Sequence, residues 1–405
     1  MRAYKFRIYP SNKQSQELAH SLWIEKNLWN TLLEKTKKNY DEENEFHSKT
    51  ELQLMVKDSG LYSQSAQAVA HNLHRSIQAK IRAKNRGQRW GFPRFKSFER
   101  MKSIYYPQSG FSLDKKLKVS PFGEISIVKH REIKGQIKTL TLKRESSGKW
   151  FAIFTVQEEP TVPKQNRGPT IGLDLGLHRL AALSDGKFIE NPHHFKKFEK
   201  KLADAQHTLS KKKKGSRNRL KAKKRVALVY EKLANSRKDH LHKSANALLS
   251  HYSRIVMEDL SINDMAQEGH GKGIHDASWG IFTHMLCYKA TDGSWEPSVH
   301  QSPQALVAES AGSEVVFVDP KNTSKECSRC HLLVKKSLWE RIHHCSSCGL
   351  TLDRDVNAAI NILARATAGM AGCQACGDGV EIPSLNQETA LAPEGRELGA
   401  KRQAL

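Results

Sequence analysis

Ile171-Gly-Leu-Asp-Leu-Gly-Leu177 is an apolar run with a single carboxylate, Asp174, at its centre. A run of this length reads as a buried strand, and a buried carboxylate is costly unless something pairs it. Two more acids stand in similar frames. Glu258 ends the run of Ile255-Val-Met-Glu-Asp-Leu260, and Asp355 lies in Leu352-Asp-Arg-Asp-Val-Asn-Ala-Ala359. Divalent cations are the usual partners of converging carboxylates. For any one acid alone a cap or turn role is the simpler reading, above all for Asp355 as a helix N-cap. All three together favour metal binding. Asp259, Asp353 and Asp319 are weaker candidates, with Asp259 and Asp353 supporting or exposed.

The order of elements around these acids is informative. Three strands are expected over 170–190, with Ser184-Asp-Gly-Lys187 turning the last pair. A long helix with Phe195, Phe198, Leu202, Ala205 and Leu209 follows. A further helix carries Leu241, Ala245, Leu248, Leu249 and Tyr252 and leads into the strand ending at Glu258. Another helix holds Trp279, Phe282, Met285 and Leu286, and Val315-Val-Phe-Val318 is a later strand. Val356, Ala359, Ile360 and Leu363 stripe a final helix. This succession matches a ribonuclease H-type α/β fold, in which Asp174, Glu258 and Asp355 would meet at one edge of the sheet. Two Mg²⁺ ions ~3.5–4 Å apart at such a triad would activate water and stabilise the leaving oxygen of a phosphodiester.

Cys327-x2-Cys330-x14-Cys345-x2-Cys348 has the spacing of two knuckles closing a tetrahedral four-thiolate site, so Cys327, Cys330, Cys345 and Cys348 are the expected ligands of one structural Zn²⁺. Gly349 follows the second knuckle, where positive φ is often required; His331 holds the equivalent place after the first. His343 and His344 are spare. Cys373-x2-Cys376 lacks partners and reads as incidental. An odd total of seven cysteines with four in a metal pattern fits a reducing cytoplasmic setting better than a disulfide framework.

With 405 residues, a net charge of +24 and a pI near 9.7, the chain is multidomain and suited to a polyanion. No apolar run reaches the ~18 residues that span a bilayer. Between residues 196 and 225 there are 14 lysines and arginines against two acids. Lys211, Lys212, Lys213, Lys214, Arg217 and Arg219 are therefore candidate phosphate contacts, as are Arg94 and Lys96. Trp90, Phe92, Tyr105 and Tyr106 are available either for base stacking or for core packing. Upstream, Tyr4, Phe6 and Ile8 alternate with Lys5 and Arg7 in an opening strand. Helical periodicity runs from about Gln14 to Arg86, and strand patterns run from about Met101 to Gln157. The stretch 291–308, with Gly293, Pro297 and Pro303, reads as an insertion looped out of a helix end. The chain after Ala368 reads as a mobile tail.

Ala3-Tyr-Lys-Phe-Arg-Ile-Tyr-Pro10, Gly91-Phe-Pro-Arg-Phe-Lys96, Gly172-Leu-Asp-Leu-Gly176, Met257-Glu-Asp-Leu260, Val318-Asp-Pro-Lys-Asn-Thr-Ser324, the two knuckles and Asp353-Arg-Asp-Val-Asn-Ala-Ala-Ile-Asn-Ile362 together resemble the TnpB family. TnpB proteins are transposon-encoded, RNA-guided DNA endonucleases similar to type V CRISPR effectors. The resemblance spans roughly residues 1 to 368. It implies a wedge β-barrel from 1–12 and 97–165 with a helical recognition domain, 13–96, inserted. It further implies a RuvC-like nuclease domain over 170–322 and 351–368, a zinc module at 323–350 and a tail at 369–405. It also implies a guide RNA from the transposon end, a double-stranded DNA target beside a short duplex motif, and Asp174, Glu258 and Asp355 as catalytic acids. A cleavage-defective guide-directed binder and an unguided ribonuclease H-like resolvase are the alternatives.

Overall fold

The computed structural model describes residues 1–89, 91–158, 166–261, 276–290, 306–307, 312–337 and 339–368, together with Met265 and Gly273. The chain divides into two compact units, Met1–Pro160 and Thr161–Leu405. Trp90, most of 291–308, Cys373 and Cys376, and the tail at 369–405 lie outside the described residues.

In the first unit, β1 (Arg2–Tyr9) leads into α1 (Asn12–Glu43), α2 (Lys49–Leu54) and α3 (Ser63–Asn85). Then come β2 (Ser103–Tyr106), β3 (Phe111–Leu113), β4 (Leu117–Val119), β5 (Gly123–Val128), β6 (Gln136–Arg144) and β7 (Trp150–Gln157). The alternation read in the opening strand holds, with Tyr4, Phe6 and Ile8 buried. Helix α1 begins where Ser11 and Gln14 form a reciprocal capping box and stops at Asn44, whose φ of 56° is left-handed. The strands form one antiparallel sheet in the order β2-β6-β7-β1-β5-β4-β3.

No ladder joins the edges β2 and β3 among the described residues. Side chains draw the edges together instead: the Tyr106 and Phe111 rings lie 6.4 Å apart, and the Tyr106 hydroxyl donates to Ser120 O at 2.8 Å. The arrangement is a near-barrel. Leu18, Leu22, Leu32 and Leu73 of the helices share one core with Ile104, Leu140 and Phe154 of the sheet.

In the second unit, β8 (Thr170–Leu175), β9 (Arg179–Leu183) and β10 (Phe188–Glu190) precede α4 (His194–Ser210) and α5 (Arg217–His251). Next are β11 (Arg254–Glu258), α6 (Trp279–Ala290), β12 (Leu306–Val307), β13 (Glu314–Val318), β14 (Ile342–His344), β15 (Thr351–Asp353) and α7 (Arg354–Ala368). The main sheet runs β10-β9-β8-β11-β13-β12, with β8, β11 and β13 parallel. Leu306 and Val307, the described residues of the 291–308 stretch, pair antiparallel with Val315 and Glu314.

Helix α7 lies close against β8. A Cβ added to Gly172 would fall 2.0 Å from Ala359 O and 2.9 Å from the Leu363 backbone nitrogen, so no larger residue fits there without moving the helix. This close approach brings the first turn of α7 toward the end of β8 that carries Asp174. Among the described residues, no helix is long and apolar enough to cross a membrane.

Candidate active site

Parallel register sets the first two acids side by side. Met257 is paired with Leu173, so one step further along both strands places Glu258 beside Asp174. Glu258 itself is opposite Val318 on the other side. Asp355 comes from the first turn of α7. Asp353 caps that helix, accepting from the backbone N–H of Asp355 at 2.9 Å and of Val356 at 3.4 Å. The cap role open to Asp355 on sequence is thus filled by Asp353, which also pairs with Arg179 at 3.1 Å. Asp355 is left available, with the Arg341 guanidinium 3.8 Å from its Oδ2.

Asp174 feels the charges of both other acids. Burial raises the Asp174 pKa well above the carboxylate range, and the charges of Glu258 and Asp355 raise it further; Arg354 pulls the other way. Burial also raises Glu258, offset by the Thr323 hydroxyl and the Arg365 charge. Asp174 has no hydrogen bond or ion pair among the described residues. A half-buried, unpartnered carboxylate with two more nearby offers oxygen ligands of the kind a hard divalent cation takes, although the three acids are not drawn together as tightly as the four cysteines, whose sulfurs lie within 4.8 Å of one another.

The environment of Glu258 was not legible in the sequence. The Thr323 hydroxyl lies against its Oε1 and 3.1 Å from Pro320 O. The Thr323 carbonyl accepts from the buried Asn361 amide at 2.8 Å. Asn357, also buried and one turn earlier on α7, donates to Glu326 O at 2.7 Å and accepts from Ser328 N at 3.0 Å. Two asparagines at i and i+4 on the buried face of a helix were the available signal, since buried amides need partners. They tie the loop carrying Thr323 to the helix carrying Asp355. Thr323→Val is expected to raise the Mg²⁺ concentration for half-maximal cleavage ~10-fold, with Thr323→Ser restoring it. An unchanged Mg²⁺ titration for the valine variant would remove Thr323 from the site.

The cysteines form a separate centre. Cys327 and Cys348 sulfurs lie 3.6 Å apart and those of Cys330 and Cys345 3.5 Å apart, and all four lie within 4.8 Å of one another. Four sulfurs at ~2.3 Å from a central ion stand ~3.8 Å apart, so the cluster fits tetrahedral zinc. The knuckles repeat one geometry. His331 N donates to Cys327 O and Gly349 N to Cys345 O, both at 2.9 Å, while Cys327 N and Cys345 N donate to Leu332 O and Leu350 O. Both His331 and Gly349 have positive φ, 61° and 71°. The histidine is held there by Glu326, 2.9 Å from its Nδ1. Backbone N–H groups of Cys348 and Ser347 draw the Cys345 thiol down to about 6.

The candidate nucleic-acid residues divide. Lys211, Lys212, Lys213, Lys214 and Arg217 are exposed around the turn from α4 to α5. Arg219 instead caps α4, donating to Leu209 O at 3.1 Å and Lys212 O at 2.9 Å. Arg94 is exposed, but the Lys96 ammonium sits 3.5 Å from the Trp29 ring centroid and is half-buried near Glu25. Tyr106 is core, and Phe92 packs on Tyr40 and Phe46.

Burial pushes Glu25 up to about 8, with Lys96 opposing. A raised acid leaves folding unpenalised below its unfolded pKa of ~4.3 and costs stability as pH rises toward 8. Glu25→Gln is therefore expected to raise the melting temperature more at pH 8 than at pH 4.5; an equal shift at both pH values would contradict this.

A sheet ordered β10-β9-β8-β11-β13, with acids on β8 and β11, the first and fourth of these strands along the chain, and at the start of α7, has the ribonuclease H-type arrangement. In structural comparison, the chain matches the solved "Cryo-EM structure of the Cas12f1-sgRNA-target DNA complex" with a TM-score of 0.51 and 15% identity, over 87% of this chain and 83% of that one. Three family profiles match: a "Probable transposase" family, OrfB_IS605, at 153–268, a "Cas12f1-like, TNB domain" at 305–362 and a "Helix-turn-helix domain" at 1–45. Residues 1–45 here hold one strand and one uninterrupted helix.

Two relatives match nearly end to end. "Putative RNA-guided DNA endonuclease InsQ" of Escherichia coli (strain K12) is 30% identical over 94% of this chain and 95% of its own length. A "Putative RNA-guided DNA endonuclease" of Streptomyces pristinaespiralis is 31% identical over 98% and 96%. The chain belongs to the TnpB family.

Proposed function

We propose that this chain is a transposon-encoded, RNA-guided DNA endonuclease that cuts DNA complementary to its guide in a Mg²⁺-dependent reaction. The observation that supports the reading is the strand register that sets Glu258 beside Asp174, with Asp355 on the first turn of α7, the helix packed against β8. Mg²⁺ bound there would supply charge stabilisation at the attacking and leaving oxygens. The chain's own residues do the rest. Asp174 and Glu258 present oxygens from adjacent rigid strands, Thr323 orients the Glu258 carboxylate, and Asp353 caps α7 so that Asp355 is not taken up as the cap. Cys327, Cys330, Cys345 and Cys348 would hold one structural Zn²⁺, a closed set with no position left for water.

The domain reading follows the same line. Residues 1–12 and 97–165 would form the wedge, 13–96 the recognition helices, 170–322 and 351–368 the nuclease and 323–350 the zinc module. The exposed lysines of the α4–α5 turn and the net charge of +24 suit a guide and target held largely by their phosphates. The relatives' names support RNA as the source of sequence choice. Sequencing of RNA that co-purifies with the protein from its native locus tests this. One discrete species from the transposon end is expected, and only degraded bulk RNA would refute the guided reading.

A further inference from the structure

Arg365 stands in the last turn of α7, where a cation serves the helix dipole and needs no other purpose. Its guanidinium nevertheless makes two specific contacts. Nη1 donates to Asp319 O at 2.6 Å and Nη2 to Glu326 Oε2 at 3.1 Å. Asp319 and Glu326 are the first and last residues of the segment 319–326, which carries Thr323, so one side chain holds both ends. The segment is sharply bent between them, with Asn322 at a left-handed φ of 63°.

Arg365 completes a stripe. Asn357, Asn361 and Arg365 recur every four residues and so share one face of α7. Asn357 donates to Glu326 O at 2.7 Å, and Asn361 donates to Thr323 O and Glu326 O at 2.8 Å each. The asparagines thus fix the middle and far end of the segment, and Arg365 fixes its near end. That near end matters most for the acids. Asp319 follows Val318, the residue opposite Glu258 in the sheet, so a tether at Asp319 O sets the path by which Thr323 reaches the Glu258 carboxylate. Burial pushes the Glu258 pKa up and the Asp319 charge adds to it, while the Thr323 hydroxyl and the Arg365 charge pull it back. The far end is firm as well, since Glu326 also pairs with His331 Nδ1 at 2.9 Å. With its side chain 26% exposed, Arg365 is a poorer phosphate contact than the open lysines of the α4–α5 turn.

We propose that Arg365 is a positioning residue for metal binding, stapling the segment 319–326 so that Thr323 holds the Glu258 carboxylate in the orientation a divalent cation needs. The inference rests on the nuclease reading above and adds how its second acid is kept in place. A planar fork with several donors suits the task. A lysine ammonium, a single point of charge, cannot hold both ends in the same geometry.

The test uses the full chain as purified and Mn²⁺, which takes the same carboxylate and water ligands as Mg²⁺. Binding is read from the loss of the free-ion EPR signal, and the sites missing from Asp174→Ala identify those at the acids. There Arg365→Gln is expected to weaken binding ~10-fold, with Arg365→Lys falling between that variant and wild type. In cleavage, the Mg²⁺ concentration for half-maximal rate should rise by the same factor, with kcat at saturating Mg²⁺ within about twofold. Arg365→Gln combined with Thr323→Val should lose little more than either alone, because the arginine acts through the threonine. Zinc content should not change.

Wild-type Mn²⁺ affinity in Arg365→Gln would overturn the staple. So would losses that add in the double variant, or a loss that tracks zinc release. A reduced salt dependence of DNA binding with unchanged Mn²⁺ affinity would also overturn it, and would make Arg365 a phosphate contact. If Arg365→Gln does not fold, Arg365→Lys decides, and an affinity equal to that of wild type refutes the role. Equal Mn²⁺ binding by Asp174→Ala and wild type is a different failure: the metal reading of the acids falls, and the staple with it.

Discussion

Asp174→Ala is expected to lower DNA cleavage ~10³-fold or more while leaving RNA retention unchanged. The size follows from the chemistry: a metal-held phosphodiester cleavage draws several kcal/mol of charge stabilisation from its ions, and Asp174 is the acid shared between both neighbours. The same substitution should stabilise the metal-free protein. Burial and the charges of Glu258 and Asp355 hold the Asp174 pKa high. Ionising it in the folded state is therefore costly, and stability falls as pH rises above the unfolded value of ~3.9. In EDTA, Asp174→Ala should melt at a higher temperature than wild type at pH 8, with the gap closing toward pH 4. Paired measurements of cleavage and of melting against pH check both halves. A variant that loses cutting and also melts lower in EDTA at pH 8 would mark Asp174 as a structural residue.

The second large effect is expected at the zinc module. Cys345→Ser should abolish zinc binding and unfold the β14–β15 hairpin while the main sheet persists. Structural zinc contributes ~10 kcal/mol or more in small modules, where binding and folding are one process. The module has little else: among its described residues Thr323, Cys327, His343 and Cys345 are buried, while Trp339, Ile342 and Leu333 face solvent. Unfolding it would release the Arg354–Arg341 backbone bond and the Glu326 and Ser328 contacts of Asn357. Cleavage should then fall although all three acids remain. Metal analysis and limited proteolysis between residues 325 and 350 provide the readout. Full zinc content with an unaltered digestion pattern would mean the cysteines are not the ligands that matter.

Much of this was legible because the residues concerned are constrained by period and by spacing. The three acids stand out because each is polar in an apolar frame, and parallel register then brings Asp174 and Glu258 together without further assumption. The cysteine spacing was equally plain, and His331 adopts the positive φ that its place after the first knuckle demands. What stayed hidden depends on tertiary partners. Arg219 looked like one more phosphate contact in a basic run, yet it caps α4. Lys96 looked solvent-facing, yet it stacks on Trp29, because α1 brings that ring under the loop. The two helices read over 196–252 proved to be α4 and a single 35-residue α5, since a basic, weakly apolar first half hid the continuity.

The most direct measurement is cleavage by the purified protein with its co-purified RNA, on DNA complementary to that RNA and on a scrambled control, in Mg²⁺ and in EDTA. The account predicts cutting of the matched DNA alone, in Mg²⁺ alone, and none by Asp174→Ala. Equal cutting of matched and scrambled DNA, or cutting that survives EDTA or the loss of Asp174, would contradict it.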